Sequence, residues 1–210
     1  MSGGGADETR LNRLTALSDG IFAIAMTLLV LDIQVTAGLD TAGFHSMVRG
    51  LFSHVGAYAL SFTIIAGVWR DHHRILGLAR GLDALSGRLV LMGLGVIALL
   101  PFPTTLLSEY ASQPLSVAVY ACTIIVIDLL QLALLLSIRR APGTARPDVR
   151  RTGRNIAADL GSTALVFGAT VPVAFLVSPA AALWCWLVLI PLKVALGRHE
   201  ALRALTRTFE

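Results

Sequence analysis

Long apolar runs, separated by short clusters of charge, set the predicted elements of this chain. Residues 50–69 contain no Asp, Glu, Lys or Arg, nor do residues 89–108, and residues 110–138 carry only Asp128. A helix needs about 20 mostly apolar residues to cross ~30 Å of hydrocarbon, so each run suffices for one crossing. Residues 160–192 form an uncharged run of 33, which as one helix would measure about 50 Å, too long for a single crossing. Ser178-Pro179 lies within it. Proline lacks the donor that a helix interior needs, so the run predicts two spans, near 156–177 and 179–198. The first span, near 13–36, is less regular: Asp19 sits inside its pattern, and the uninterrupted apolar core is 20–31. As a cleaved signal peptide it would have Arg10 and Arg13 as the basic start and Val35-Thr36-Ala37 as the cleavage site. Ser18-Asp19-Gly20 at the head of the apolar stretch fits that alternative poorly.

Composition changes the picture from buried helices to membrane helices. Charged residues are 14% of the 210, against roughly 25% in an ordinary soluble domain. The hydrophobic fraction is 55% and mean hydropathy is +0.74. So few charges cannot cover a water-facing surface, and lipid is the main solvent. Of the seventeen basic residues only Arg49 falls in the loops of one side; the others precede span one, separate spans two and three, separate spans four and five, or close the chain. By the positive-inside rule both termini are cytoplasmic. A five-span arrangement would carry Lys193, Arg198, Arg203 and Arg207 to the opposite side and spoil the segregation. The pI near 9.7 then reflects topology, and nucleic-acid binding loses its support. Cys122 and Cys185 lie in apolar stretches without metal-like spacing. The expected fold is therefore an all-α integral membrane protein of six transmembrane helices, one domain over 1–210. Residues 1–9 are expected to be disordered, 139–155 to form a cytoplasmic linker, and 199–210 a cytoplasmic tail.

The first helix is the unusual one. At 100° per residue, Ile24, Leu28 and Leu31 fall within about 60° of arc, and Leu17 and Val35 extend that stripe. Phe22, Met26, Leu29 and Ile33 make a second, bulkier stripe, and Asp19 lies roughly 140° from the first. A carboxylate inside a span normally needs a partner. No basic residue lies three or four positions from Asp19 on its own helix, so the partner is expected from Trp69-Arg70-Asp71-His72-His73-Arg74 at the end of span two.

Arg13-Leu14-Thr15-Ala16-Leu17-Ser18-Asp19-Gly20 resembles the Arg-x-x-x-Phe-Ser-Asp-Gly signature of the transmembrane protein 175 family in its short bacterial form. The continuation Ile21 to Leu31, the Trp69-to-His72 spacing and Leu100-Pro101-Phe102-Pro103-Thr104 are similar as well. Leu17 departs from the family, which has Phe there. The resemblance implies a weakly selective potassium channel of a bacterial cell membrane, a homotetramer whose first helices line the pore. It has no Thr-Val-Gly-Tyr-Gly filter, and this sequence contains no such run. Carried over, the constriction residues are Ile24, Leu28 and Leu31. Thr27 and Asp32 are pore-adjacent polar groups, and Arg13, Ser18, Asp19, Trp69 and His72 form a structural network. Apolar rings disfavour water and hydrated ions, and potassium sheds its shell more readily than sodium. Four copies of Asp32 near the outer mouth would raise the local cation concentration. No cofactor and no metal site beyond permeating potassium are expected; the partners are lipid, monovalent cations and other copies of the chain.

Two other functions are weighed. Asp128, with Gln131 three residues on, would serve a proton-coupled transporter, yet paired broken helices are not evident and a packing role facing Ser61 or Thr63 is the simpler expectation. An enzyme using Asp71, His72 and His73 is disfavoured, because adjacent histidines on a helix point about 100° apart and share no metal face.

Overall fold

The computed structural model describes residues 3–140 and 149–186. Helix α1 (Gly3–Leu28) continues into a 3-10 turn (Leu29–Asp32). Then follow α2 (Thr41–Leu76), α3 (Ala84–Leu99), α4 (Pro101–Glu109), α5 (Pro114–Arg140) and α6 (Val149–Leu176), and residues 179–186 are helical again. Five of these stretches, Glu8–Asp32, Thr41–Leu76, Ala84–Glu109, Pro114–Arg140 and Thr152–Leu176, are long and apolar enough to cross a membrane. The span expected at 179–198 is described only to residue 186. The tail 199–210 and residues 141–148 of the linker lie outside the described residues.

Local chemistry explains the boundaries. Asp40 caps α2 by accepting the Gly43 N–H at 2.8 Å, and Asp83 caps α3 by accepting the Ser86 N–H at 2.9 Å. The third span is one path bent at Pro101. Pro101 and Pro103 have no N–H to return to Ile97 and Leu99, so α3 stops, the Leu100 N–H closes a tighter turn on the Ile97 carbonyl, and α4 restarts. The break expected at Ser178-Pro179 is present: α6 ends at Leu176, and the Ser178 hydroxyl caps the next helix by accepting the Ala181 N–H at 3.1 Å.

Three expectations need correction. α1 is helical from Gly3, within the stretch 1–9 expected to be irregular. α5 runs to Arg140 and α6 begins at Val149, so the linker 139–155 is narrower than expected. α2 has 36 residues, some 54 Å at 1.5 Å per residue, and extends past the uncharged run 50–69 at both ends. Absence of charge marks hydrocarbon, whereas the helix continues into the interface through Arg70 to Arg74.

α5 is the hub. Half of its apolar window is buried, against 22–33% in the other spans, and it packs on α2, α3, α4 and α6. Tyr120 of α5, Phe167 of α6 and Trp186 stack with ring centroids 4.8–6.4 Å apart. The Trp186 Nε1–H donates to Thr170 Oγ1 at 2.8 Å. A buried hydroxyl chain ties α5 to α2 and α4: the Ser61 oxygen lies 2.9 Å from both Tyr120 and Thr104, and Thr104 donates to the Leu100 carbonyl. In lipid such bonds and close packing hold helices together, because hydrocarbon tails are as apolar as the side chains. Trp186→Phe should keep the stack but remove the indole donor, leaving Thr170 only its bond to the Phe167 carbonyl and lowering stability by about 1 kcal/mol. Thr170→Val alone should cost the same, and the double variant no more than either single, as read by denaturant titration in detergent micelles.

Candidate functional site

α1 turns two different faces outward from its axis. Ser18, Phe22, Ala25 and Leu29, spaced by four, three and four, are buried against α2 and α3. Another face is bare: Ile24 is 58% exposed, Leu28 42% and Leu31 64%, with Leu17 and Val35 continuing the exposed line. The bulky stripe divides, with Phe22 and Leu29 buried and Met26 and Ile33 half-buried. The 3-10 turn sharpens the exposed line. At three residues per turn and about 2 Å rise, Leu31 stands nearly above Leu28 and roughly 6 Å along the axis, where an α-helix would set it some 60° aside. Thr27 is exposed on the flank, and its hydroxyl donates to the Ile24 carbonyl at 2.9 Å, so it presents oxygen rather than hydrogen outward.

Three helices meet in a buried relay behind that face. Ser18 donates its hydroxyl hydrogen to the Leu14 carbonyl at 2.8 Å, and its oxygen lies 3.1 Å from His72 Nε2. His72 Nδ1 lies 3.2 Å from Gln131 Oε1, and the Gln131 amide donates back to the Val68 carbonyl at 3.3 Å. Gln131 Oε1 can only accept, so His72 carries its hydrogen on Nδ1 and donates there, and Nε2 accepts from the Ser18 hydroxyl, which is shared with the Leu14 carbonyl. Phe22 packs on the imidazole, ring centroids 5.6 Å apart. One turn outward, Asp19 Oδ1 accepts the Trp69 Nε1–H at 2.9 Å and lies 3.1 Å from His73 Nε2.

Ser18, Asp19, Trp69 and His72 are thus brought together. Arg13 is not: it is exposed and makes no hydrogen bond or ion pair among the described residues. Five residues ahead of Ser18, it sits about 140° round the helix, on the side of the exposed stripe. His73 comes from the segment expected to supply a partner for Asp19, whereas Gln131 was not anticipated in this network. The signal for Gln131 was an amide inside a span, which lipid cannot satisfy.

Asp32 is also placed differently from a free carboxylate at a mouth. Its Oδ2 accepts the Ser108 hydroxyl at 2.6 Å and lies 3.3 Å from His54 Nδ1, and only 13% of its side chain is exposed. The 3-10 turn swings it toward α2 and α4. Asp128 is buried on α5; Ser61 and Thr63, its expected neighbours, are engaged with Thr104, Tyr120 and the Ala59 carbonyl.

Comparison with known proteins gives consistent matches. The family model described as endosomal/lysosomal potassium channel TMEM175 matches residues 13–101. A potassium channel of Streptomyces collinus is 33% identical over 176 residues, 80% of this chain and 84% of that one. A potassium channel of Chamaesiphon minutus is 36% identical over 124 residues, 55% of this chain and 59% of that one. The crystal structure of a lysosomal potassium-selective channel TMEM175 homolog from the same organism matches with a TM-score of 0.78 at 27% identity, covering 89% of this chain and 97% of that one. The human endosomal/lysosomal proton channel TMEM175 is more distant, 22% identical over 187 residues that make up 37% of its length.

Ser18→Ala should leave the accepting Nε2 of His72 buried without a donor and lower stability by about 1 kcal/mol. Asp19→Asn keeps the oxygen that Trp69 needs and should be milder than Asp19→Ala. Denaturant titration of the purified protein ranks the three. The assignment fails if either Asp19 variant shifts the potassium-to-sodium permeability ratio while stability is unchanged.

Proposed function

We propose that this chain, which belongs to the TMEM175 family of ion channels, conducts potassium through a pore lined by the exposed stripe of α1. It is a multi-pass membrane protein. The observation that carries the proposal is the bare line of Ile24, Leu28 and Leu31, some 120° round the helix from the face that α1 buries in its own subunit. One copy of such a line encloses nothing. Four copies around an axis give three stacked apolar rings, with both termini of each subunit on the cytoplasmic side.

The physics of such rings sets the behaviour. An apolar constriction disfavours water, so a hydrated cation must shed part of its shell to pass. Potassium holds that shell less tightly than sodium, and the barrier discriminates modestly without carbonyl ligands. Thr27 oxygens beside the Leu28 ring offer partial compensation at the tightest stretch. Stacking of Leu31 over Leu28 by the 3-10 turn lengthens the dry segment and steepens the barrier. Streptomyces and Chamaesiphon relatives carrying the name potassium channel support the choice of ion.

Shortening or polarising one ring should ease wetting. Leu28→Ala and Ile24→Asn are expected to raise flux several-fold and weaken discrimination between potassium and sodium, while the oligomer still assembles. Met26→Ala, half-buried on another face, is the control and should leave the ratio unchanged; Leu29 is unsuitable because it is buried. The measurement is cation-driven uptake by liposomes carrying the purified protein, in potassium and in sodium, without a proton gradient. A shift from Met26→Ala with none from Leu28→Ala would put the pore on the wrong face. Uptake that requires a proton gradient would favour a transporter operating through Asp128.

A further inference from the structure

We propose that the trough between α5 and α6 binds an anionic phospholipid, with its phosphate on Arg139 and Arg154 and an acyl chain laid over Gly161. The site lies away from α1 and does not depend on the reading of α1 as the pore helix.

The arginine-rich end of the bundle, cytoplasmic by the positive-inside rule, is compensated on one side and not on the other. On α2, Asp71 is buried and engages both of its basic neighbours: its Oδ1 accepts from Arg70 at 3.4 Å and from Arg74 at 3.2 Å. Arg70 Nη2 also lies 3.6 Å from Asp159 Oδ2 on α6. Arg139, Arg140 and Arg154 are exposed and form no ion pair among the described residues. Arg139 and Arg140 stand in the last turn of α5, where the free carbonyls favour a cation. Arg154 stands on the second turn of α6, toward that helix's positive end, and has no such offset. Like charges thus gather where two packed helices meet, and an anion among them relieves their repulsion. Guanidinium groups hold phosphate through paired N–H donors.

Beside these arginines the two helices leave a shallow apolar trough. A Cβ on Gly153 would sit 3.6 Å from Arg139 Cδ and 3.4 Å from Leu135, and one on Gly168 would sit 4.0 Å from Ile125. The helices are therefore antiparallel in a register that brings Leu132 level with Gly161. A Cβ on Gly161 would meet nothing within 4 Å, so α6 shows bare backbone there, with Leu132 half-buried. Gly153, Ala157, Gly161, Ala164 and Gly168 fall within about 80° of arc on α6. Small residues of this kind let another chain lie close against a helix. Arg139 and Ile125 approach that line at its two ends, and its middle stays open. Gly161 is about 12 Å along the axis from Gly153, on the way from the headgroup level into hydrocarbon.

Charge and shape point to the same occupant. A soluble phosphate would use the arginines and ignore the trough, whereas a phospholipid uses both. Basic pockets between membrane helices on the cytoplasmic side suit anionic head groups, because that leaflet carries a negative surface potential. The lipid also completes the helix pair: Tyr120, Phe167 and Trp186 clamp α5 to α6 toward the other end, and the phosphate ties the end where the arginines repel.

The test is native mass spectrometry of the purified full-length protein in detergent, titrated with phosphatidylglycerol or with phosphatidylcholine. Phosphatidylglycerol is expected to be retained roughly three-fold or more over phosphatidylcholine. The pair Arg139→Gln, Arg154→Gln should remove that preference, while Arg80→Gln, at another exposed arginine of the same end, should keep it. Gly161→Leu fills the trough and should lower phosphatidylglycerol retention several-fold, with Gly161→Ala as the milder filling. The thermal unfolding midpoint without lipid shows that each variant is folded. Equal retention of the two lipids, or a preference that survives the double arginine variant, overturns the site. Loss of the preference in Arg80→Gln overturns it as well, in favour of a diffuse basic surface. Inorganic phosphate is titrated as a separate arm. If it raises the midpoint as much as phosphatidylglycerol does, and Gly161→Leu leaves lipid retention unchanged, the ligand is a free phosphate and the lipid assignment falls. None of these variants touches α1, so each outcome leaves the pore reading as it stands.

Discussion

The bond between Ser18 and His72 determines how α1 is turned, and the exposed face follows from that. In water a helix is oriented by its apolar side, but in lipid the tails are as apolar as leucine and an apolar stripe has no preferred direction. A buried hydroxyl, imidazole and amide do have one, because hydrocarbon satisfies none of them. His72 uses one nitrogen toward Ser18 and the other toward Gln131, and Gln131 returns its hydrogen to the α2 backbone. Once Ser18 is fixed inward, helical geometry carries Phe22, Ala25 and Leu29 inward with it. Ile24, Leu28 and Leu31 are then left on the outside.

Much of this was legible from residue pattern, and the exceptions share a cause. Uncharged runs located the spans, and Ser178-Pro179 located the break in the longest one, because charge and a missing N–H are properties of single residues. Where a helix ends in the interface is not: α2 continues through Arg70 to Arg74 because the interface tolerates charge, so the uncharged run understated its length. The two faces of α1 were visible from spacing, but which of them turned inward depended on Gln131, 59 residues beyond His72, and no local pattern joins the two. Arg13 shows the limit of a motif read as a unit. Its neighbours in the motif point into the subunit, while the 100° step puts Arg13 on the exposed side. Asp32 was misplaced for a different reason, since a uniform α-helix was assumed where the chain tightens to a 3-10 turn and swings the carboxylate between α2 and α4.

That local winding also explains why the two ends of α1 are held by different chemistry. At Ser18 the helix is regular, and its anchor is a buried relay of hydroxyl, imidazole and amide, which suits the fixed end of a lever. At Asp32 the helix has changed pitch, and four residues must show Leu31 outward, bury Leu29 and present a carboxylate to α2 within barely more than one turn. A 3-10 segment has poorer hydrogen-bond geometry than an α-helix, so it needs support from outside itself. The support comes from an acid, an imidazole and a hydroxyl on two other helices, in the half-exposed zone where an ionised acid is tolerated. The tighter winding that brings Leu31 over Leu28 is thus the same feature that requires an external tether.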